Sequence, residues 1–476
     1  MAMGAMMAVA ALLATGAAQG DPQPDLLIRQ VAVVDVAAGS HEVRDVVIDD
    51  GRIIAVEAPG SVTAARVIDG EGRFLIPGLW DSHVHVFTHP EEPAAAFDMY
   101  LLNGVTGVRD MGALFPLEEQ KRIQAAVEAG EMRGPRLVLS GAWVDASPGS
   151  WPGMFLADTP AEARARVAEI ADQDWAAVKA YSMLSEPVYL ALAAAARDAG
   201  LPLVGHIPEA VSLMTAVDAG HAIVEHTGRL AKACSLEEGA MVQRVAEALQ
   251  TDDPRSAMIA EMATHNRIIL ETHDDRLCSD VIARVAESGM AIAPTLVVAG
   301  FYTGDRPEPD AERMRVLPAA IRQAWGEPDF RLDAMTDDLR AIADQSIALD
   351  RATLAAARGA GVPILASTDA SFANPFIFHG YSLHDELDHY VDALGMSPRE
   401  ALYSATVAPA AALGLADQNG SIAPGRRADL LILDGDPLEG LDALRRPSAV
   451  IANGHVFDRQ ALDALRDDLL ASAEAP

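Results

Sequence analysis

Ile76-Pro77-Gly78-Leu79-Trp80-Asp81-Ser82-His83-Val84-His85 is the stretch that decides the fold. An apolar run enters after Pro-Gly and leaves on two histidines separated by one residue. Strand side chains alternate with period two, so both imidazoles project from the same face, about 7 Å apart along the strand. A strand that ends on ligand-type side chains is the motif to follow outward.

Downstream the motif recurs. Apolar strands are predicted at Leu79–His85, Val105–Arg109, Arg136–Ser140 and Ala177–Tyr181, then at Leu203–Ile207, Ala222–His226, Ala291–Leu296 and Ile364–Asp369. Alanine-rich helices such as Ala161–Ala171, Pro187–Ala199 and Met241–Leu249 separate them. Eight strand–helix alternations predict an α/β fold, a (β/α)8 TIM-like barrel over residues 78–414. The long connection from Val297 to Arg358 carries helical patterns of its own and is expected to lie over the strand ends as a lid. Upstream, residues 26–77 form short β-branched runs punctuated by Asp50-Gly51 and Asp69-Gly70. The texture returns in 415–460, with Leu430-Leu431-Ile432-Leu433 and Ala449-Val450-Ile451-Ala452. Both chain ends are therefore expected to build one small β-sandwich domain.

The strand ends carry the chemistry. His83 and His85 close the first strand, Lys179 the fourth, His206 the fifth, His226 the sixth and Asp369 the eighth. Barrel active sites lie at the C-terminal ends of strands, so these six residues are expected to converge. Four imidazoles and a carboxylate suit zinc or a similar first-row ion. Lys179 is unusual: the chain has only Lys121, Lys179 and Lys232, and this one sits inside an apolar strand where an unpaired ammonium is costly. A lysine amine that combines with carbon dioxide becomes a carbamate, an anionic ligand able to bridge two metals. An ion pair with a nearby carboxylate is the plainer alternative.

The opening stretch resembles the first strand of the metal-dependent amidohydrolase superfamily, whose Lys, His, His and Asp strand ends follow in the same order. Gly420-Ser421-Ile422-Ala423-Pro424-Gly425-Arg426-Arg427-Ala428-Asp429-Leu430 is similar to that family's return into its β-sandwich. Leu383-His384-Asp385-Glu386-Leu387 and Ala401-Leu402-Tyr403-Ser404-Ala405-Thr406 resemble the imidazolonepropionase-like branch, which includes Xaa-Pro dipeptidases, related carboxypeptidases and ochratoxin-type amidases. The resemblance implies a binuclear hydrolase of an amide or peptide-like C–N bond, dipeptidase-like or acting on N-acyl amino acids, that uses a metal-bridging hydroxide. His83, His85 and Asp369 would hold one divalent ion, most simply zinc, and His206 and His226 the second, with carboxylated Lys179 between them. Asp369 would shuttle the proton, and Tyr181, on the strand face of Lys179, would either donate a hydrogen bond to substrate or pack at the rim. An ester, lactone or organophosphate hydrolase is the alternative, and a non-enzymatic scaffold has no need for the complete set. The sequence departs from several branch members at Asp145–Gly153, which has no histidine but includes Trp151, able to line a pocket or pack the loop. Arg109 and Arg229 are read as partners of carboxylates such as Asp110 and Glu225 rather than of substrate. His379, His384 and His389 lack helical i, i+3 or i, i+4 spacing and are expected at the solvated surface.

The 476 residues contain 36 basic and 69 acidic side chains, a net charge of −33 that disfavours nucleic acid and anionic membranes as partners. A small-molecule substrate and, as an assembly, a homo-oligomer remain. Residues 1–18 are small and apolar, end in Gly16-Ala17-Ala18, and resemble a signal peptide without its usual positive start. This predicts a periplasmic or secreted protein starting near Gln19, with no stable membrane association after removal of the signal; a nonfunctional segment would leave it cytoplasmic. Two cysteines, Cys234 and Cys278, exclude a disulfide framework. One bridge and two separate buried thiols are both open.

Overall fold

A computed structural model describes residues 23–60, 62–112, 114–299, 311–327 and 335–473. The proposed signal segment lies outside them. Five strands come first: β1 (Leu26–Asp35), β2 (Ser40–Asp49), β3 (Arg52–Glu57), β4 (Arg66–Asp69) and β5 (Phe74–Pro77). The middle follows with β6 (Leu79–Val84), β7 (Val105–Asp110), β8 (Arg136–Leu139), β9 (Trp143–Asp145), β10 (Phe155–Leu156), β11 (Val178–Ala180), β12 (Leu203–Gly205), β13 (His221–Glu225) and β14 (Ala291–Ala293). Then come β15 (Leu430–Leu433), β16 (Ala449–Ala452) and β17 (His455–Asp458).

Both ends of the chain meet in one mixed sheet, ordered β17-β16-β15-β5-β1-β2-β3 with β4 on β1. Its central strands are apolar on both faces, for a reason visible in their packing. Leu75, Leu430, Ile432 and Ile451 pack with Ile28, Val46 and Ile53 in a core of the sheet's own. Their alternate neighbours Ile76, Leu431, Leu433 and Val450 join the main core of the middle segment. A strand buried on both faces reads as a continuous apolar run, as Leu430-Leu431-Ile432-Leu433 does.

The middle strands pair in parallel in two groups, β6-β7-β8 and β10-β9-β11-β12-β13-β14. Backbone hydrogen bonds link the groups at both margins. Ala176 N donates to Leu139 O at 3.1 Å. On the other side Leu365 N donates to Ile292 O at 2.9 Å, and Ser82 N to Ala366 O at 2.8 Å. The segment predicted as the eighth strand thus lies between β14 and β6, but it pairs only through isolated bridges. Asp369 has φ 59°, which breaks the pleat where the side chain turns into the site. The third predicted strand is likewise split: Gly141, at φ 70°, separates β8 from β9, a strand the apolar pattern did not reveal.

The helices around this sheet begin close to where predicted. Pro160–Asp172 opens on a capping box between Thr159 and Glu162, and Glu186–Asp198 and Glu238–Ala248 match the other two within a few residues. The lid expectation is corrected in part. The helix Asp337–Gly359 packs against helices Gly228–Ala233, His265–Thr272 and Asp275–Ser288, as an outer-layer helix does. The shorter helix Ala319–Gly326 does reach the strand ends, where Trp325 Nε1 donates to Phe372 O at 2.8 Å, three residues past Asp369.

Candidate active site

His83 Nε2, His85 Nε2 and Asp369 Oδ1 point at one another, 3.2–3.4 Å apart. They form a group whose ligand atoms could hold one metal ion. The His226 ring lies 5.0 Å from that of His83 and 5.0 Å from that of His206. Lys179 is 1% exposed, with Nζ 5.1 Å from the centre of the Trp143 ring and 5.8 Å from that of Tyr181. All six strand-end residues of the sequence reading therefore face one region.

What the sequence did not reveal is how the imidazoles are aimed. Each of the four has its Nδ1 engaged. His83 Nδ1 contacts Glu225 Oε2 at 2.8 Å, His85 Nδ1 contacts Gly112 O at 2.7 Å, His206 Nδ1 contacts Ser182 Oγ at 2.9 Å, and His226 Nδ1 contacts Thr295 Oγ1 at 2.8 Å. Engaging Nδ1 fixes the ring orientation and leaves Nε2 for the centre. Burial, the largest influence, holds His83, His206 and His226 below the usual histidine range, which favours neutral rings. Burial alone would raise Asp369, but the hydrogen bond from His85, and the surrounding imidazoles whenever they are protonated, outweigh it and hold the carboxyl well below its ordinary value. Lys179 is drawn down to about 8, chiefly by burial, against the pull of Glu225 and Asp369.

Two glycines allow this packing. A Cβ on Gly112, at φ 118°, would lie 1.2 Å from Trp143 Nε1, and Gly112 is the residue whose carbonyl holds His85. A Cβ on Gly205, at φ 107°, would lie 2.5 Å from Ala180 O and 2.8 Å from Lys179 Cγ. Non-glycine residues at His226 (φ 66°) and Asp369 (φ 59°) also occupy the left-handed region, where conformational cost is tolerated when surrounding contacts impose it. For Asp369 those contacts are its own N–H on His83 O at 2.8 Å and Asn374 Nδ2 on its carbonyl at 2.8 Å. Thr368 beside it donates Oγ1–H to buried Asp81 at 2.6 Å.

Arg109 does pair with Glu225, at 2.8 Å, and the same carboxylate holds His83. Arg229 pairs instead with Glu209, at 2.7 Å. Glu225→Gln would leave the buried Arg109 guanidinium without its counter-charge, and a chemical denaturation midpoint should report a loss of about 3 kcal/mol. Tyr181 is part of an aromatic wall: it stacks on His206 at 4.3 Å and on Trp143 at 5.5 Å, and its hydroxyl accepts from Trp151 Nε1 at 3.0 Å. Burial pushes its phenol up to about 12, so it keeps its proton at neutral pH. Trp151, 46% exposed, stands at the mouth of that wall.

The expectation for the C-terminal histidines is corrected. His379 and His384 are buried and His389 half-buried. His379 bridges Tyr100 (2.8 Å) and Glu92 (3.0 Å), and His384 Nε2 contacts Asn103 O at 3.0 Å. Helical spacing tests only whether two rings are neighbours on one helix. It says nothing of partners elsewhere in the chain, here Glu92 and Tyr100 of the helix Glu92–Leu102 for His379 and Asn103 just after it for His384.

The profile of the amidohydrolase family matches residues 74–457. The chain belongs to that family. Among curated relatives, adenine deaminase 2 of Rhizobium meliloti (strain 1021) is 41% identical over 96 residues, 20% of this chain and 16% of that protein. The chain thus spans about a sixth of the length of that relative. Similarity to solved structures is broader. A bottromycin amidohydrolase superposes with TM-score 0.71 at 23% identity, covering 94% of this chain and 90% of the other. A Xaa-Pro dipeptidase with methionine bound in its active site gives TM-score 0.63 at 19% identity, covering 91% and 99%. The amidohydrolase fold is a TIM-like barrel with α/β content, and the resemblance read from the opening strand holds at that level.

Proposed function

We propose that this amidohydrolase-family chain hydrolyses an amide or peptide-like C–N bond with two divalent ions, most simply zinc. It would do so in a closed (β/α)8 barrel (78–414) joined to a β-sandwich domain (26–77 plus 415–460). The observation that carries this reading is the convergence of His83, His85 and Asp369, with His226, His206 and Lys179 beside them and every imidazole held at Nδ1. The donor set fits. Neutral rings and an ionised carboxylate are the forms that bind metal. In this reading His83, His85 and Asp369 would hold one ion and His206 and His226 the other, and Lys179 would supply a further anionic ligand once its amine carried carbon dioxide. An amine lowered to about 8 is partly neutral at physiological pH, the form whose lone pair bonds to the carbon of carbon dioxide as the proton leaves. When bound, such an ion pair acidifies water and withdraws charge from a carbonyl oxygen.

The chain's own groups do the rest. Asp369, kept ionised, takes the proton of the attacking water and returns it to the leaving nitrogen. Tyr181 accepts from Trp151 and so keeps its own O–H for a substrate oxygen. The wall of Trp143, Trp151 and Tyr181 offers an apolar face to the group beside the scissile bond.

The test is a screen of dipeptides, N-acyl amino acids, esters and lactones with metal-loaded protein. C–N substrates are expected to give the highest kcat/KM. Ester or organophosphate turnover without any C–N turnover would replace this reading with the alternative. The substrate is thus proposed to be a small molecule, with neither nucleic acid nor membrane as partner and with a homo-oligomer as the assembly. No helix among the described residues is long and apolar enough to cross a membrane. Export, with maturation near Gln19, is supported by the bond between Cys234 and Cys278, which suits an oxidising compartment such as the periplasm. Mass spectrometry of the mature chain checks it; an intact Met1 would place the enzyme in the cytoplasm.

A further inference from the structure

A second group of ligand-type side chains lies apart from the four-histidine site. Cys234 Sγ, Cys278 Sγ and one nitrogen of His273 lie within 4.8 Å of one another. The cysteines are bonded to each other, a pairing that the sequence left open. Beside them His273 Nδ1 is buried and, among the described residues, has no hydrogen-bond partner. A buried unpaired ring nitrogen is rare enough to need a reason. The other nitrogen, Nε2, faces the Asp275 carboxylate at 3.4 Å. An imidazole that stands in one group with two sulfurs, has a carboxylate near one nitrogen and keeps the other unpartnered has the makings of a metal-binding histidine.

The backbone holds this corner by means that do not involve the S–S bond. Ser235 and His273 form an antiparallel bridge. Leu236 N donates to Thr272 O at 3.0 Å and Asp274 N to Cys234 O at 3.0 Å. Asp274 caps the helix Asp275–Ser288 through Leu277 N at 2.8 Å, and Cys278 N donates to Asp274 O at 2.9 Å. Both cysteines and the histidine are thereby placed by main-chain contacts. Ligand atoms around a tetrahedral zinc stand roughly 3.3–3.8 Å apart, within the reach of this group after small side-chain rotations.

We propose that Cys234, Cys278 and His273 form a redox-gated metal site for one zinc-class ion, closed while the cysteines are bonded and open when they are reduced. Opening consumes an external dithiol: the dithiol loses two electrons and becomes a disulfide, while Cys234 and Cys278 each become a thiol. Both thiol protons leave as the thiolates bind the ion, one ring nitrogen of His273 supplies the third ligand, and water completes the tetrahedron. Asp275 positions the ring. In a reducing compartment the ion would tie Cys234 to the start of the helix, and in an oxidising one the disulfide ties the same two points.

The test uses the full chain with its four-histidine site preloaded with zinc, reduced by a phosphine that offers no thiolate of its own. Cobalt(II) is then titrated in. A sulfur-to-cobalt charge-transfer band saturating near one equivalent is expected, because the four-histidine site contains no sulfur. The oxidised protein should show no band. His273→Ala should weaken cobalt binding by at least about tenfold, and Asp275→Asn by a smaller factor. Circular dichroism of the reduced chain runs alongside. A folded, fully reduced protein without the band would overturn the proposal, as would unchanged affinity in His273→Ala. Unfolding on reduction would overturn it too, since the main-chain contacts are claimed to hold the site without the S–S bond.

Discussion

Lys179→Ala is expected to lose at least about a hundredfold in kcat/KM, and to lose bound metal with it. The side chain is buried among His206, Tyr181 and Trp143, and Gly205 is left without a Cβ so that its methylenes fit. As an ammonium it would set a positive charge beside two divalent cations, a repulsion that a poorly hydrated site does not screen. As a carbamate it reverses that charge. On the proposed assignment the second ion would then keep only His206 and His226 from the protein, so metal analysis of the variant should show the loss mainly there. Acetate or propionate can enter the vacated space, and partial recovery of turnover with added carboxylate is the expected signature. Lys179→Arg should not recover, because a guanidinium stays protonated and forms no carbamate. Near-normal turnover in Lys179→Ala would remove the carbamate from the account.

Asp369→Asn should lower kcat by about a thousandfold while the fold persists. Asparagine tolerates the left-handed backbone found there, at φ 59°. The main-chain bonds to His83 and Asn374 do not depend on the side chain. What would disappear is the carboxylate oxygen proposed to accept the proton. An unchanged melting temperature with turnover at the original rate would assign the proton transfer to another group.

The six strand-end residues were legible because two simple periodicities expose them: alternation within a strand and recurrence of strand ends along the chain. His83 and His85 declare each other by spacing, and Lys179 stands out because the chain has so few lysines. The residues that aim them were not legible. Glu225, Thr295 and Ser182 are ordinary polar residues whose role exists only through a partner 142, 69 or 24 positions away. Such pairs leave no local pattern. The division of the third strand at Gly141 and the irregular course of Ile364–Asp369 were missed for the opposite reason. Their apolar composition continues through a backbone turn that only φ records. His379 and His384 show the limit of spacing arguments most clearly, since their burial comes from a helix nearly 280 residues earlier in the chain, at Tyr100 and Asn103.

Metal stoichiometry tests the central claim most directly. Pure, active protein, freed of loosely held ions, should carry about two divalent ions per chain by elemental analysis, and a strong chelator should remove ions and activity in parallel. Full activity in protein that contains no divalent metal would contradict the account.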